Sequence, residues 1–299
     1  METVNQNCIN CPKGSLKKEG NCRVPAPDGY TIRCGPPWTI HKHRFIDGYC
    51  EIFVKGARRK FKFLGFIDLF SGPGLYYQWP SGILYSGSPI NAQKYDFDRY
   101  YYIDLNNKNI EALKFRLKGS IKDIRTMIGD ANQVSAAINK DLPYKSLSFC
   151  LADPENMSQL KFNTLKELSN KRHIDLLINF PYGTAFKRGA KNIIKFDTNQ
   201  NVIDEYFGTD MWQDIFRRHH QMFSSELFDE IINLYLEQFY KIGYLKPDPI
   251  YGNNYRVIKN TTGRGIYHLV FLSKDQLGYK FWTEAIKYIK DRNIEMRLL

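Results

Sequence analysis

The sequence predicts an α/β protein with a Rossmann-like, mostly parallel sheet, helices on both faces and a C-terminal antiparallel hairpin closing one edge. Three observations predict it. Short apolar runs alternate with helical stretches from Phe61 to Gly183. The first run ends in an acid and a glycine turn. Two later apolar runs flank a turn-rich connection of hairpin length.

Residues 1–37 are rich in Gly, Pro, Asn and Cys, so they read as an extension without regular structure unless a metal or the main domain orders it. Residues 38–299 read as the α/β domain. From Thr39 to about Arg58, Ile40, Phe45, Tyr49 and Phe53 recur at near-helical spacing, and a helix leads into the sheet. "FLGFIDLF" is the first strand, followed by the glycine turn and a helix through "SGSPINAQKYD". "RYYYIDLN" is the second, with a helix in "NKNIEALKFRLK". "IRTMIGDA" is the third, with "NQVSAAINKDL" after it. "SLSFCLADP" is the fourth, followed by "FNTLKELSNKR", and "IDLLINFPYG" is the fifth. The stretch "SSELFDEIINLYLEQFYKIGY" predicts a long amphipathic helix with Leu227, Ile231, Leu234, Leu236 and Phe239 on one side and Ser224 or Ser225 as its cap. "YRVIKN" and "IYHLVFLS" pair across "TTGRG", and "KDQLGYKFWTEAIKYIK" is the last helix.

Composition narrows the class. Of 299 residues, 43% are hydrophobic and 15% aromatic, enough for a sizeable core and too many for global disorder. No run reaches the ~18 apolar residues of a membrane span, and the polar start "METVNQNCIN" lacks a signal-peptide core, so a soluble, cytoplasmic protein is expected. The net charge is +12, with basic groups at 55–62, 114–118, 187–195 and 217–220. Such an excess suits a polyanionic partner, chiefly nucleic acid, or simply a soluble basic surface. Cys8 and Cys11 form a C-x2-C pair, with Cys22 and Cys34 following. In a reducing compartment these four are either a tetrahedral zinc site or free thiols on an arm. Cys50 and Cys150, in apolar surroundings, read as packing residues.

The strand ends carry the candidate chemistry. In open α/β sheets ligands bind beyond the carboxyl ends of the strands. Asp68, Phe70, Gly72 and Gly74 form D-x-F-x-G-x-G at the first end. The glycines permit a tight turn and close approach of a ligand to the backbone, and an ionised Asp68 attracts an ammonium or sulfonium group. Asp104, ending the second strand, suits two ribose hydroxyls, and Asp130, ending the third, suits an adenine amino group. Each taken singly also reads as a helix N-cap. Together they resemble the S-adenosylmethionine pocket of class I methyltransferases. An NAD fold would show a third glycine where Tyr77 stands, and no G-x-S-x-G elbow marks a hydrolase.

The flanks add a narrower resemblance. "PPWTIHKH", "FIDLFSGPG", "SGSPINA", "LADPEN", "DLLINFPYG" and "YHLVFLSKDQLGYKFWTEAI" succeed one another as in the three-Cys-motif partner protein family, TcmP, over about Trp38 to Ile286. That resemblance implies a methyltransferase-like fold, S-adenosylmethionine as cofactor, and a partner protein whose own cysteines give the family its name. The fourth-strand motif departs from the family's Asp-Pro-Phe-Gly, reading Asp153-Pro154-Glu155-Asn156.

For the acceptor, Asp153 offers a carboxylate but no aromatic follows it. Asn179-Phe180-Pro181-Tyr182 resembles the Asn-Leu-Pro-Tyr motif of ribosomal RNA adenine dimethyltransferases, displaced from strand four to strand five; it reads equally as an Asn-initiated turn with packed rings. Asp153, Asn179 and Tyr182 are the expected acceptor-site residues. Lys187, Arg188 and Lys191, with Arg217 and Arg218, are either phosphate contacts or solvated surface. The expected function is a methyltransferase acting on nucleic acid; the alternative is a non-catalytic module of the same fold that binds nucleic acid or a partner protein.

Overall fold

The structure is a computed structural model that describes residues 4–9, 11, 17–18, 21–182, 186, 200–219, 225–259 and 265–292. Its centre is a seven-stranded sheet. Strands β1 (Phe63–Asp68), β2 (Arg99–Asp104), β3 (Ile124–Ile128), β4 (Ser146–Ala152) and β5 (His173–Phe180) are joined by β6 (Tyr255–Lys259) and β7 (Gly265–Leu272), in the order β6-β7-β5-β4-β1-β2-β3. β1 to β5 run parallel, and β7 is antiparallel to both neighbours. The first strand is therefore central, with β2 and β3 to one side and β4 and β5 to the other. The strand order reverses at the carboxyl end of β1, which is where such sheets bind ligands.

The expected parallel sheet and closing hairpin are both present. β1 and β4 are buried along almost every residue, as a strand covered on both faces requires. One face packs Ile67, Ile103, Cys150 and Leu176 under α4 (Ala131–Asp141), α5 (Phe162–Leu168), α6 (Gln200–Phe207), α7 (Trp212–Arg218) and α8 (Ser225–Lys241). The other packs Phe66, Tyr100, Phe149 and Phe271 under α1 (Thr39–Ala57), α2 (Ser88–Ala92), α3 (Asn107–Leu117) and α9 (Gln276–Arg292). Leu227, Ile231, Leu234, Leu236 and Phe239 of α8 are all buried, as their spacing predicted. Ser224 and most of "TTGRG" lie outside the described residues. Cys50 and Cys150 are buried in the two cores, matching their expected packing role.

Two features were not expected. Between the glycine turn and α2 the chain makes a hairpin, Leu75–Gln78 with Leu84–Ser86, rather than running straight into the helix. The N-terminal residues use it: Ile32–Gly35 pairs in parallel with Leu75–Gln78, and Asn21–Cys22 pairs with Ile32–Gly35. The main domain thus orders the extension by lending it two strands, forming a second, five-stranded sheet across the 37/38 boundary. Apolar alternation was too short in each strand to be seen without its partners.

α1 is held against α9 by close approach. A Cβ on Gly56 would lie 2.3 Å from Phe281 Cζ, a ring that is itself buried. Gly56→Val is therefore expected to destabilise the fold by about 1–3 kcal/mol, read as a lower urea midpoint with an unchanged m-value; an unchanged midpoint would show that the helix pair has slack.

Candidate functional site

The carboxyl ends of β1 to β5 open into a cleft of about 1450 Å³, walled by the glycine loop, Asp104, Asp130, Asp153, Asn179, Lys42 and the strand Ile32–Gly35. The loop is shaped by backbone bonds. Leu69 N donates to Leu151 O (3.0 Å), Ser71 N to Ile103 O (2.8 Å) and Gly87 N to Gly74 O (2.7 Å), so the turn after β1 is tied to both neighbouring strands and to the start of α2. Gly72 (φ +61°) and Gly74 (φ +87°) occupy the left-handed region.

Asp68 does not reach the cleft wall. It is fully buried beneath the loop, where one carboxylate oxygen accepts from Phe70 N (3.2 Å) and the other from Ser88 Oγ (2.6 Å). Burial pushes its carboxyl up to about 7, with the Ser88 and Phe70 donors pulling the other way. The acid in the apolar run thus pins the loop to α2, and a direct contact with a ligand cation is not what its position offers. Phe70, Gly72 and Gly74 do line the cleft.

Asp104 lines it too. Its Oδ2 accepts from Gly72 N (2.9 Å), and its Oδ1 from Asn106 N (2.8 Å) and Asn109 Nδ2 (3.0 Å). The carboxylate therefore fixes the height of the glycine loop as well as standing at the cleft. The neighbouring Leu105 is 75% exposed, an apolar surface beside a polar edge. Asp130 caps α4: its Oδ1 accepts from Asn132 N (2.9 Å) and Asn132 Nδ2 (2.8 Å). Its Oδ2 has no partner among the described residues. The cap and ligand alternatives for this residue are compatible, because each uses a different oxygen.

On the other side of the cleft stands a group that sequence reasoning found only in part. Lys42 Nζ, on the first turn of α1, binds Asp153 Oδ2, and Asn179 Nδ2 donates to Asp153 Oδ1 (2.9 Å). Lys42 is 7% exposed. Burial alone raises the Asp153 carboxyl; the Lys42 ammonium and the Asn179 amide outweigh it and hold the group below the ordinary carboxylate range. An ionised carboxylate only accepts, so the Asn179 nitrogen must face it, and Asn179 Oδ1 is left buried without a hydrogen-bond partner among the described residues. Asp153 and Asn179 therefore share one site from two adjacent strands. Tyr182 does not join them: its ring is buried among Phe180, Phe186, Phe228 and His268, away from the cleft. His43 stacks on Tyr76 at 5.3 Å, and burial pushes its imidazole down to about 3, so it is neutral at pH 7. In the sequence Lys42 stands only as part of the resembling stretch "PPWTIHKH", where nothing ties it to a carboxylate 111 residues on.

The N-terminal sheet forms one wall through Arg33, Cys34, Gly35 and Pro36. Arg116 fastens it, pairing with Asp28 through two bonds (2.7 and 3.0 Å) while donating to Pro73 O of the glycine loop (2.5 Å). Cys8, Cys11, Cys22 and Cys34 sit in this sheet region. Burial pushes the Cys8 thiol up to about 11, with the nearby Cys22, Cys34 and Cys11 adding to it. Among the described residues, however, no three His, Cys, Asp or Glu side chains form a group that could hold a metal ion. Arg217 and Arg218 are exposed on α7 and do not line the cleft; Arg218 pairs with Glu230 (2.8 Å) and Arg217 with Asp214 (3.3 Å). Lys187, Arg188 and Lys191 lie outside the described residues. No described helix is long and apolar enough to cross a membrane.

No family model matches the chain, and no curated protein matches it. Solved structures similar to it include a Legionella pneumophila protein of the DUF519 family (12% identity, 81% of this chain and 90% of that one, TM-score 0.44). Another is the protein PH0226 from Pyrococcus horikoshii (10% identity, 79% and 91%, TM-score 0.38). An S-adenosylmethionine-dependent methyltransferase from Clostridium acetobutylicum is also similar (14% identity, 45% and 51%, TM-score 0.29). At these scores the likenesses carry no functional argument.

The raised Asp68 carboxyl makes the stability of the fold depend on pH. Its folded pKa of about 7 lies above the ordinary 3.8, so the folded chain holds the proton more tightly. The associated stability is complete below about pH 4 and is lost as pH rises through about 7. Asp68→Asn keeps a neutral side chain at every pH. The urea midpoint of the native chain should therefore fall relative to Asp68→Asn between pH 4 and 8; parallel pH profiles for the two would show that Asp68 titrates normally.

Proposed function

We propose that the chain is an S-adenosylmethionine-dependent methyltransferase of the three-Cys-motif partner type, acting on a nitrogen of nucleic acid. The observation that carries this is one cleft, at the reversal point of a Rossmann-like sheet, where the glycine loop, Asp104 and Asp130 stand on one side and the Lys42–Asp153–Asn179 group on the other. The residues present fit the cofactor. Asp104 offers acceptors for ribose hydroxyls, Leu105 an apolar surface for the base, Asp130 Oδ2 an acceptor for its amino group, and the Gly72–Gly74 backbone a place for the amino-acid end. When bound, S-adenosylmethionine supplies a methyl already activated on sulfur, so alignment is what the protein must provide.

The chain's own residues provide it as follows. Asp153, kept ionised by Lys42, fixes the Asn179 amide in one orientation. Asn179 Oδ1, which no described residue satisfies, is then the group left to accept from the substrate amine and to orient its nitrogen lone pair toward the methyl. The net charge of +12 supports a polyanionic substrate. A second reading, a non-catalytic binding module, is favoured by one observation: "DPEN" lacks an aromatic ring beside Asp153.

Calorimetry with S-adenosylhomocysteine separates the two. The folded chain should bind it, and Asp104→Ala should weaken binding roughly tenfold or more, the loss of charge-assisted hydrogen bonds. No heat at high micromolar ligand would overturn the enzyme. Asn179→Ala should leave this affinity within about threefold and abolish most methyl transfer to mixed RNA or DNA, an interaction made chiefly with the acceptor.

A further inference from the structure

The cleft is also lined by a tryptophan to which the cofactor contacts proposed above give no role. Trp38 stands at the N-cap of α1, four residues before Lys42, and lines the cleft. Its neighbours in the chain are fixed: Thr39 N donates to Pro36 O (3.0 Å) and His41 N to Trp38 O (3.1 Å), so the ring is carried on an ordered turn. The ring itself is half-buried and has no stacking, edge or cation partner among the described residues. The contrast with the other tryptophans is informative. Trp212 and Trp282 are fully buried, and Trp79 donates to Cys11 O (2.6 Å). A large aromatic face left open inside a concave site is a surface for a flat ligand.

A second, independent observation lies in the same cleft. Asn179 is 5% exposed, and its Oδ1 is buried with no hydrogen-bond partner among the described residues. An acceptor left this way costs about 1–3 kcal/mol, a cost that a ligand N–H removes. Trp38 and Asn179 thus offer the two things needed to recognise an aminated aromatic ring: a face to stack on and an acceptor for its edge.

We propose that Trp38 is the stacking platform for the acceptor, a single-stranded or extruded nucleobase of a nucleic acid strand, and that Asn179 Oδ1 accepts from an N–H on that base's edge. This rests on the methyltransferase assignment above and names its substrate class. It also accounts for the missing ring after Asp153-Pro154: the aromatic face comes from the N-terminal end of α1 instead of from the end of β4. Lys42 and Trp38 then act from one helix turn, the first orienting Asp153 and Asn179, the second holding the ring they read. Because base stacking tolerates every base, Trp38 sets the class of acceptor and Asn179 selects among bases by their edges.

The experiment is binding of fluorescein-labelled twelve-residue RNA and DNA single strands to the full chain at saturating S-adenosylhomocysteine, with an abasic strand of the same length as control. Trp38→Ala should lose roughly tenfold or more in affinity for the base-containing strands, Trp38→Phe should stay within about threefold of the native chain, and both variants should bind S-adenosylhomocysteine normally. The abasic strand should bind the native chain no better than base-containing strands bind Trp38→Ala. Equal strand affinity for Trp38→Ala and the native chain overturns the proposal, as does equal binding of abasic and base-containing strands. Loss of S-adenosylhomocysteine affinity in Trp38→Ala also overturns it, placing Trp38 in the cofactor site or the fold. A native chain that binds S-adenosylhomocysteine but neither strand overturns the nucleobase and leaves the methyltransferase standing. A chain that binds strands but no S-adenosylhomocysteine overturns the methyltransferase instead.

Discussion

The ion pair between Lys42 and Asp153 decides what the cleft can be. Two charges this close to the interior give little net stability, because each loses hydration about as large as their attraction. The pair acts through geometry. Lys42 holds Asp153 ionised, the ionised carboxylate accepts only, and Asn179 must therefore turn its nitrogen inward and its oxygen away. A single proton on Asp153 would free that amide to rotate. The pair also fixes α1 to the end of β4, and with α1 comes the whole rim of the cleft from Pro36 to His43.

The same economy of contacts joins the N-terminal sheet to the loop. Asn21 Nδ2 donates to Asn109 Oδ1 (2.8 Å), and Asn109 Nδ2 donates to Asp104 Oδ1. Arg116 meets Asp28 on one side and Pro73 O on the other. Two short polar paths therefore run from the extension to the glycine loop, both through α3. The extension is part of the cleft's construction, and its order is coupled to the position of Asp104. Loops placed on a rigid sheet are the usual carriers of specificity, and here the extension supplies a wall where the domain alone would leave an opening.

Much of this was legible in the sequence because it follows from local rules. Period and punctuation give β1 to β5 and their helices, and an acid at three successive strand ends marks the cleft. The hairpin at Leu75–Gln78 and the paired N-terminal strands were not legible: each strand is four residues or fewer, and the pairing that joins the two parts, Ile32–Gly35 on Leu75–Gln78, is between segments distant in sequence. Asp68 shows a different limit. Its spacing before the glycines points to the loop that lines the cleft, yet its burial and its Ser88 partner, twenty residues on, decide that it acts on the loop from beneath. Tyr182 was drawn toward the acceptor by its motif, while the aromatic cluster of α8 and β7 holds its ring. Lys42 and Trp38 lie in the stretch "PPWTIHKH", where nothing but the tertiary fold reveals that a helix start faces a strand end.

Cap and ligand are often set against each other when an acid follows a strand, and this cleft shows why the opposition fails. A carboxylate has two oxygens and more lone pairs than a cap consumes. Asp130 spends Oδ1 on the start of α4 and keeps Oδ2. Asp104 spends Oδ2 on Gly72 N and Oδ1 on two donors, one of them the backbone of Asn106. In both, the structural bond does the orienting that a binding site needs, holding the remaining lone pairs at a fixed angle to the cleft before any ligand arrives. The side chains that hold the fold together at the strand ends are for that reason the ones best placed to recognise something beyond them.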